Sequence, residues 1–261
     1  MSPHCLVLGG TQDARSLCLA LAEFPAVQIT LSLAGALGET ARESFFSRMP
    51  PSMTKRISLR VGGFGGADGL ARYISEQNVS FLVDATHPYA ACMSAHAVEA
   101  ARKTGIEIVR LERPPWRRHE NEIWIEADDL FDAAQKIPFG ATCLLAVGRQ
   151  SLLPFHPITH CRFVVRSIAP SDLEGFRAPV ETIQSLPGAS VAAEESLMRD
   201  LGITCLVSKN SGGERAFHKV AAAHNLGLDI VMVARPSLPQ CRQYCDVKSV
   251  MEELISHFGA D

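Results

Sequence analysis

Apolar residues in this chain come in short unbroken runs rather than in alternation, and each run is followed by a stretch with helical spacing. Cys5–Leu8, Gln28–Leu33, Ser58–Val61, Phe81–Asp84 and Glu107–Leu111 read as strands. Ala14–Glu23, Gly69–Gln77 and Tyr89–Thr104 read as helices. Strands that are apolar on both faces belong inside parallel sheets, and parallel strands need crossover helices. The segment Arg113-Pro-Pro-Trp-Arg-Arg-His-Glu-Asn121 then breaks the rhythm with two prolines and a charge cluster. Beyond it the alternation resumes, with strands at Glu122–Glu126, Cys143–Val147, Arg162–Arg166, Cys205–Ser208 and Ile230–Val233. The helices there are Asp128–Ile137, Ala189–Asp200, Glu214–His224 and Val247–Phe258. The pattern predicts an α/β protein of two Rossmann-like, doubly wound parallel-sheet halves facing a shared cleft. Residues 1–113 form the cofactor-binding half and 114–261 the second.

The halves echo each other. Phe81-Leu-Val-Asp-Ala-Thr-His87 with Arg113-Pro114 parallels Cys205-Leu-Val-Ser-Lys-Asn210 with Arg235-Pro236; Leu82 and Leu206 lie 124 residues apart, Arg113 and Arg235 lie 122. Cys5-Leu-Val-Leu-Gly-Gly10 likewise matches Cys143-Leu-Leu-Ala-Val-Gly148. Buried strands resemble one another, so shared strand–loop–helix grammar is the competing explanation.

The 261 residues are 47% hydrophobic and 20% charged, with a net charge of −3. That is a globular composition, and nothing global draws it to nucleic acid or an anionic membrane. No apolar run reaches the ~18 residues of a membrane span. The chain enters a strand almost at once, so no signal peptide is expected. The eight cysteines are scattered, several inside apolar strands, which predicts no metal site and a reduced cytoplasmic protein. A monomer is expected.

In doubly wound sheets ligands bind beyond the strand C-termini, so the loops there carry the candidate chemistry. Cys5-Leu-Val-Leu-Gly-Gly-Thr-Gln-Asp-Ala-Arg15 is a strand, a glycine turn and a helix start, whose free amides and dipole suit a phosphate. It departs from G-x-G-x-x-G: the fingerprint positions hold Gly9, Thr11 and Ala14. Gly9, Gly10 and Thr11 are the phosphate candidates, with the Thr11 hydroxyl expected against the cofactor; a plain core turn is the alternative. The next strand ends in Ala34-Gly35 without the acid that binds an NAD ribose, which favours NADPH. Val61-Gly-Gly-Phe-Gly-Gly66 reads as a ligand loop through Gly62 and Gly63. Asp84-Ala-Thr-His-Pro-Tyr-Ala90 offers His87 as proton donor, with Asp84 and Tyr89 beside it; His87 as N-cap and Pro88 at the first helical position is the structural alternative. Ser208-Lys-Asn-Ser-Gly-Gly-Glu214 suits an anion, and Lys209, Ser211 and Gly212 are further cofactor-binding candidates; a solvated turn is the alternative. Tyr244 and Lys248 have the spacing of a short-chain dehydrogenase pair but no suitable serine nearby, and read as coincidence.

Taken together, these loops resemble the precorrin-6A reductase (precorrin-6x reductase) family of cobalamin biosynthesis. The resemblance rests on Leu8-Gly-Gly-Thr-Gln-Asp-Ala-Arg15, Ser32-Leu-Ala-Gly35, Arg60-Val-Gly-Gly-Phe-Gly65, Leu82-Val-Asp-Ala-Thr-His-Pro-Tyr-Ala90, Arg113-Pro-Pro-Trp116, Ser208-Lys-Asn-Ser-Gly-Gly213 and Ala234-Arg-Pro236. It implies an NADPH-dependent oxidoreductase that reduces one double bond of the precorrin-6A tetrapyrrole to give precorrin-6B. The substrate's acetate and propionate groups would then meet strand-end cations: Arg149, Arg166, Lys209 and Arg235, with Arg215 close by. Another NADP-dependent reductase or epimerase, or a dinucleotide-sensing protein without catalysis, are the other readings.

Overall fold

The computed structural model describes residues 2–34, 55–118, 124–186 and 188–259. It divides into two units, residues 1–113 with 237–261, and residues 114–236.

The first unit begins with β1 (His4–Leu8), α1 (Gln12–Leu21), β2 (Gln28–Leu33), β3 (Ile57–Val61), α2 (Gly66–Glu76), β4 (Phe81–Asp84), α3 (Ala91–Thr104) and β5 (Glu107–Leu111). The chain's last segment returns to it with β12 (Arg242–Tyr244) and α7 (Val247–Phe258). All six strands are parallel, in the order β3-β2-β1-β4-β5-β12. This is the Rossmann order 3-2-1-4-5-6, whose direction reverses between β1 and β4. The predicted second half of 114–261 therefore ends at Pro236. Residues 237–261 complete the first sheet because Arg242–Tyr244 pair with Val109–Leu111.

Burial explains the layers. Every residue of β1 is buried, as a strand covered on both faces requires. On one face Cys5, Val7, Ile29 and Leu31 pack under Leu17 and Leu21 of α1 and Val250 and Leu254 of α7. On the other, Leu6, Leu8 and Leu82 meet Leu70 and Ile74 of α2 and Ala97 and Ala101 of α3. Each fully buried leucine contributes roughly 1.5–3 kcal/mol.

The second unit has β6 (Trp124–Ala127), α4 (Leu130–Gln135), β7 (Thr142–Ala146), β8 (Arg162–Ser167), β9 (Val180–Gln184), α5 (Val191–Asp200), β10 (Cys205–Lys209), α6 (Glu214–Asn225) and β11 (Asp229–Val233). Its parallel order is β9-β8-β7-β10-β11-β6. Strands β7, β8, β9, β10 and β11 thus take the places of β1, β2, β3, β4 and β5. The matched sequence segments fall on topologically equivalent strands: β1 with β7, β4 with β10. The sixth, edge place is filled from outside the repeat in both units, by the chain's last strand in one and by the unit's first strand in the other.

Candidate active site: two sets of strand-end loops

In the first unit, the reversal point between β1 and β4 brings two loops side by side. The Gly9 N–H donates to Ser32 O (2.8 Å), and the Ala85 N–H donates to Leu8 O (2.9 Å). Gly10 has φ +125°, a conformation suited to glycine, and a Cβ there would meet nothing within 4 Å. Thr11 is the N-cap of α1. Its Oγ1 accepts from the Ala14 N–H (3.1 Å) and donates to Ala85 O (2.8 Å). The single hydroxyl proton is therefore committed to Ala85. It braces the glycine turn against the β4 loop. Asp13, in the first turn of α1, is neutralised by Arg113, whose Nε lies 3.0 Å from its Oδ2.

The β4 loop departs from expectation in two ways. Helix α3 begins at Ala91 with Ala90 as N-cap, so His87 and Pro88 lie in the preceding turn and cap nothing. Asp84 is 1% exposed and committed elsewhere. Its Oδ2 pairs with Arg110 Nε at 3.1 Å, and its Oδ1 accepts from the Thr86 hydroxyl at 2.7 Å. These contacts join Asp84 to β5 and to its own loop, and so hold the loop in place. Arg110 also donates from Nη1 to Pro239 O (3.0 Å), which fastens the returning C-terminal segment to the same pair. His87 is exposed, and its Nδ1 accepts from the Tyr89 N–H at 3.3 Å. A neutral His87 ring consequently carries its proton on Nε2.

Beyond β2, Ala34 is exposed at the strand end, whereas Gly35 lies outside the described residues. The glycine loop after β3 is tied down: the Gly62 N–H donates to Leu33 O (3.0 Å), and Arg60 donates to Gly62 O (2.5 Å) and Gly63 O (2.8 Å).

In the second unit, the equivalent reversal point lies between β7 and β10. Lys209, at the end of β10, donates to the Ser151 hydroxyl (2.7 Å) in the turn after β7. Burial pushes the Lys209 ammonium down to about 8. The loop 208–213 is fixed by Asn210. Trp116 N–H donates to Asn210 Oδ1 (2.7 Å), and Asn210 Nδ2 donates back to Trp116 O (3.0 Å). Trp116 Nε1 reaches Gly213 O (2.9 Å), and Arg235 Nε reaches Asn210 O (2.8 Å). Ser211 and Gly212 sit within this braced turn, while Arg149 donates to Pro170 O at 3.4 Å.

Arg166 corrects another expectation. It is buried, and its Nη1 contacts both Glu194 oxygens at 2.8 and 2.7 Å. It also donates to the Ser185 hydroxyl (3.0 Å) and Leu186 O (2.5 Å), and Glu194 in turn accepts from the Gly188 N–H. Arg166 therefore shapes the turn after β9 and does not offer its charge to a substrate. Lys219 is buried close by, 4.8 Å from the Trp116 ring, and burial pushes it down to about 8. Tyr244 and Lys248 are not a pair: the tyrosine hydroxyl binds Glu253 (2.6 Å) and Lys248 faces Glu252 (3.8 Å).

The predicted residues thus form two sets. Gly9, Gly10, Thr11, Ala34, Gly62, Gly63, Asp84, His87 and Tyr89 gather at the strand ends of the first sheet. Arg149, Lys209, Ser211, Gly212 and Arg235 gather at those of the second. The cofactor candidates are divided between the units. Arg110, Ser151 and Glu194 were not among the candidates, and Thr86 and Asn210 stood in the candidate motifs without a role. Arg110 had left a sign, as a lone charge inside an apolar strand that required a partner. Among the described residues no group of side chains is arranged to hold a metal ion, and no helix is long and apolar enough to cross a membrane.

Fold and loops define a class: two Rossmann-type units, each with candidate loops at the reversal point of its sheet. The chain belongs to the precorrin-6x reductase family CbiJ/CobK, whose model matches residues 4–255. It is 40% identical over 243 residues to a precorrin-6A reductase of Rhodococcus erythropolis, covering 92% of each chain. A Sinorhizobium precorrin-6A reductase is 36% identical, over 89% of this chain and 85% of its own. A cobalt-precorrin-6A reductase of Priestia megaterium is 28% identical, over 96% of both. A solved CobK precorrin-6A reductase superposes with a TM-score of 0.85 at 32% identity, covering 99% of this chain and 98% of that one.

Proposed function

We propose that this oxidoreductase reduces one double bond of the cobalt-free precorrin-6A macrocycle, giving precorrin-6B with NADPH as reductant. The observation that carries the reading is the near full-length match to precorrin-6A reductases, at higher identity than to the cobalt-precorrin relative.

The first unit suits the cofactor. Gly10 leaves open space beside the N-terminus of α1, where the first amides have no intrahelical partner. Gly9, Gly10 and Thr11 would frame the diphosphate, with Ala34, Gly62 and Gly63 toward the adenosine. When bound, NADPH supplies hydride. His87 supplies the proton as its imidazolium and returns to the neutral ring, whose Nδ1 then accepts from the Tyr89 N–H. The hydroxyl of Tyr89 is the neighbouring polar group. Asp84 is a positioning residue that holds the loop through Thr86 and Arg110.

In the second unit Lys209, Arg149 and Arg235 bind substrate carboxylates, with Ser211 and Gly212 lending polar backbone and hydroxyl. The sequence also offers the Lys209 turn to the cofactor. We assign it to carboxylates because the glycine turn of the first unit already provides a phosphate site. The eight cysteines are free thiols, which suits the reducing cytoplasm. The acting species is a monomer, which sedimentation would test.

Anaerobic mixing with precorrin-6A and NADPH tests the activity. Stoichiometric loss of NADPH absorbance with formation of precorrin-6B is expected. No oxidation, or oxidation only with the cobalt-containing macrocycle, would overturn the reading.

A further inference from the structure

We propose that Arg60 receives the 2′-phosphate of the dinucleotide and makes the chain choose NADPH over NADH; this rests on the cofactor reading above. Doubly wound dinucleotide domains read the ribose at the end of their second strand, where an acid holds a free 2′-hydroxyl and an arginine accommodates a 2′-phosphate. Here β2 ends in Ser32, Leu33 and Ala34, with no acid. Its neighbour β3 runs parallel with Arg60 in register with Ser32 and Val61 with Leu33. Arg60 therefore stands at the level of the ribose-reading position, one strand over.

The guanidinium is prepared rather than loose. It stacks on the Phe64 ring at 3.7 Å and lies 5.3 Å from the Tyr73 ring. It donates to Gly62 O and Gly63 O, which occupies two of its five N–H groups and leaves three. Among the described residues it has no carboxylate partner. Holding two carbonyls needs N–H donors but no charge, so the positive charge has no carboxylate counterpart among the described residues of the unit. Gly63 supplies an independent sign. Its φ lies outside the left-handed region and a Cβ there would meet nothing within 4 Å, so packing does not demand a glycine. A ligand passing close to the backbone does. A stacked, oriented arginine beside an unfilled glycine turn is the chemistry that pairs with a phosphate monoester dianion.

The test is binding, read by titrating the full-length chain with NADP+, NAD+ and 2′,5′-ADP. Arg60→Gln keeps donors for the two carbonyls and removes the charge. NADP+ and 2′,5′-ADP affinity should fall about 10–100-fold, the range of a lost charged hydrogen bond or two, while NAD+ affinity stays within about twofold. Arg60→Lys should recover much of the preference, and the thermal midpoint shows that both variants are folded. Equal losses for NADP+ and NAD+ would mean that Arg60 only holds the loop and would overturn the assignment. A wild-type preference that survives in Arg60→Gln would overturn it alone. A wild-type chain with no preference would overturn both it and the NADPH reading.

Discussion

His87 gains its meaning from one hydrogen bond. Because the Tyr89 N–H can only donate, the bond marks the neutral ring with its hydrogen on Nε2; the proton donor is the imidazolium, which returns to that bonded neutral ring once the proton is given up. His87→Asn keeps a polar side chain without the titrating group, and single-turnover reduction should slow about 10²-fold. A wild-type rate with an unchanged pH profile would remove His87 from the chemistry. Lys209 gives a pH prediction with a definite sign. A lysine pushed down to about 8 is charged below that pH and neutral above it, so its hold on carboxylates weakens as pH rises through 8. The KM for the macrocycle should climb between neutral and moderately alkaline pH. In Lys209→Arg, whose guanidinium stays charged, that climb should flatten. A slope that persists in Lys209→Arg would assign it to another group. At this scale the sequence disclosed residues with distinctive chemistry but hid what each is joined to. Asp84 and Arg166 looked available; their partners Arg110 and Glu194 lie 26 and 28 residues away, on a neighbouring strand and a helix.

Buried parallel strands were legible because they are apolar on both faces, and Cys5–Leu8 and Phe81–Asp84 needed no tertiary information. Two of the four edge strands were not. Val180–Gln184 has no buried residue, and Arg242–Tyr244 has three residues, two of them exposed, so neither carries a core pattern. Such edges are defined by the strand they join. The turn after β9 has its own internal prop, the Arg166–Glu194 pair. Removing one partner strands a buried charge, so Glu194→Gln should destabilise by about 3–5 kcal/mol, whereas replacing both with methionine should cost much less. Urea unfolding of the two variants checks this, and equal losses in both would argue against a charge effect.

The two units share one strand order, and the likeness of Cys5–Gly10 to Cys143–Gly148 falls on equivalent strands. What could not be read was the ownership of the sixth strand. A boundary at Arg113 is written in prolines and charges; the return at Ser237 is not, because Arg242–Tyr244 shows nothing of its pairing with β5. A chain ending at Pro236 loses β12 and also Val250 and Leu254 from the first core. It should lose NADP+ binding while hydrogen exchange in β7 and β10 stays protected. Retained affinity for NADP+ would show that the first unit does not need its late segment.

That late segment also sets an order of events during synthesis. The second unit is contiguous, so all its strands have left the ribosome once Pro236 and a tunnel's length beyond have been made. The first unit starts earlier yet cannot close, since its sixth strand and the helix over its core are translated only after the second unit. From Arg113 to Phe258, the end of α7, there are 145 residues, roughly 7–30 s of translation at about 5–20 residues per second. For that interval the nascent chain carries an open sheet edge at β5 and an uncovered apolar face at its front end. The part of the molecule made first is the part finished last, and the burden of chaperoning falls on its N-terminal sheet.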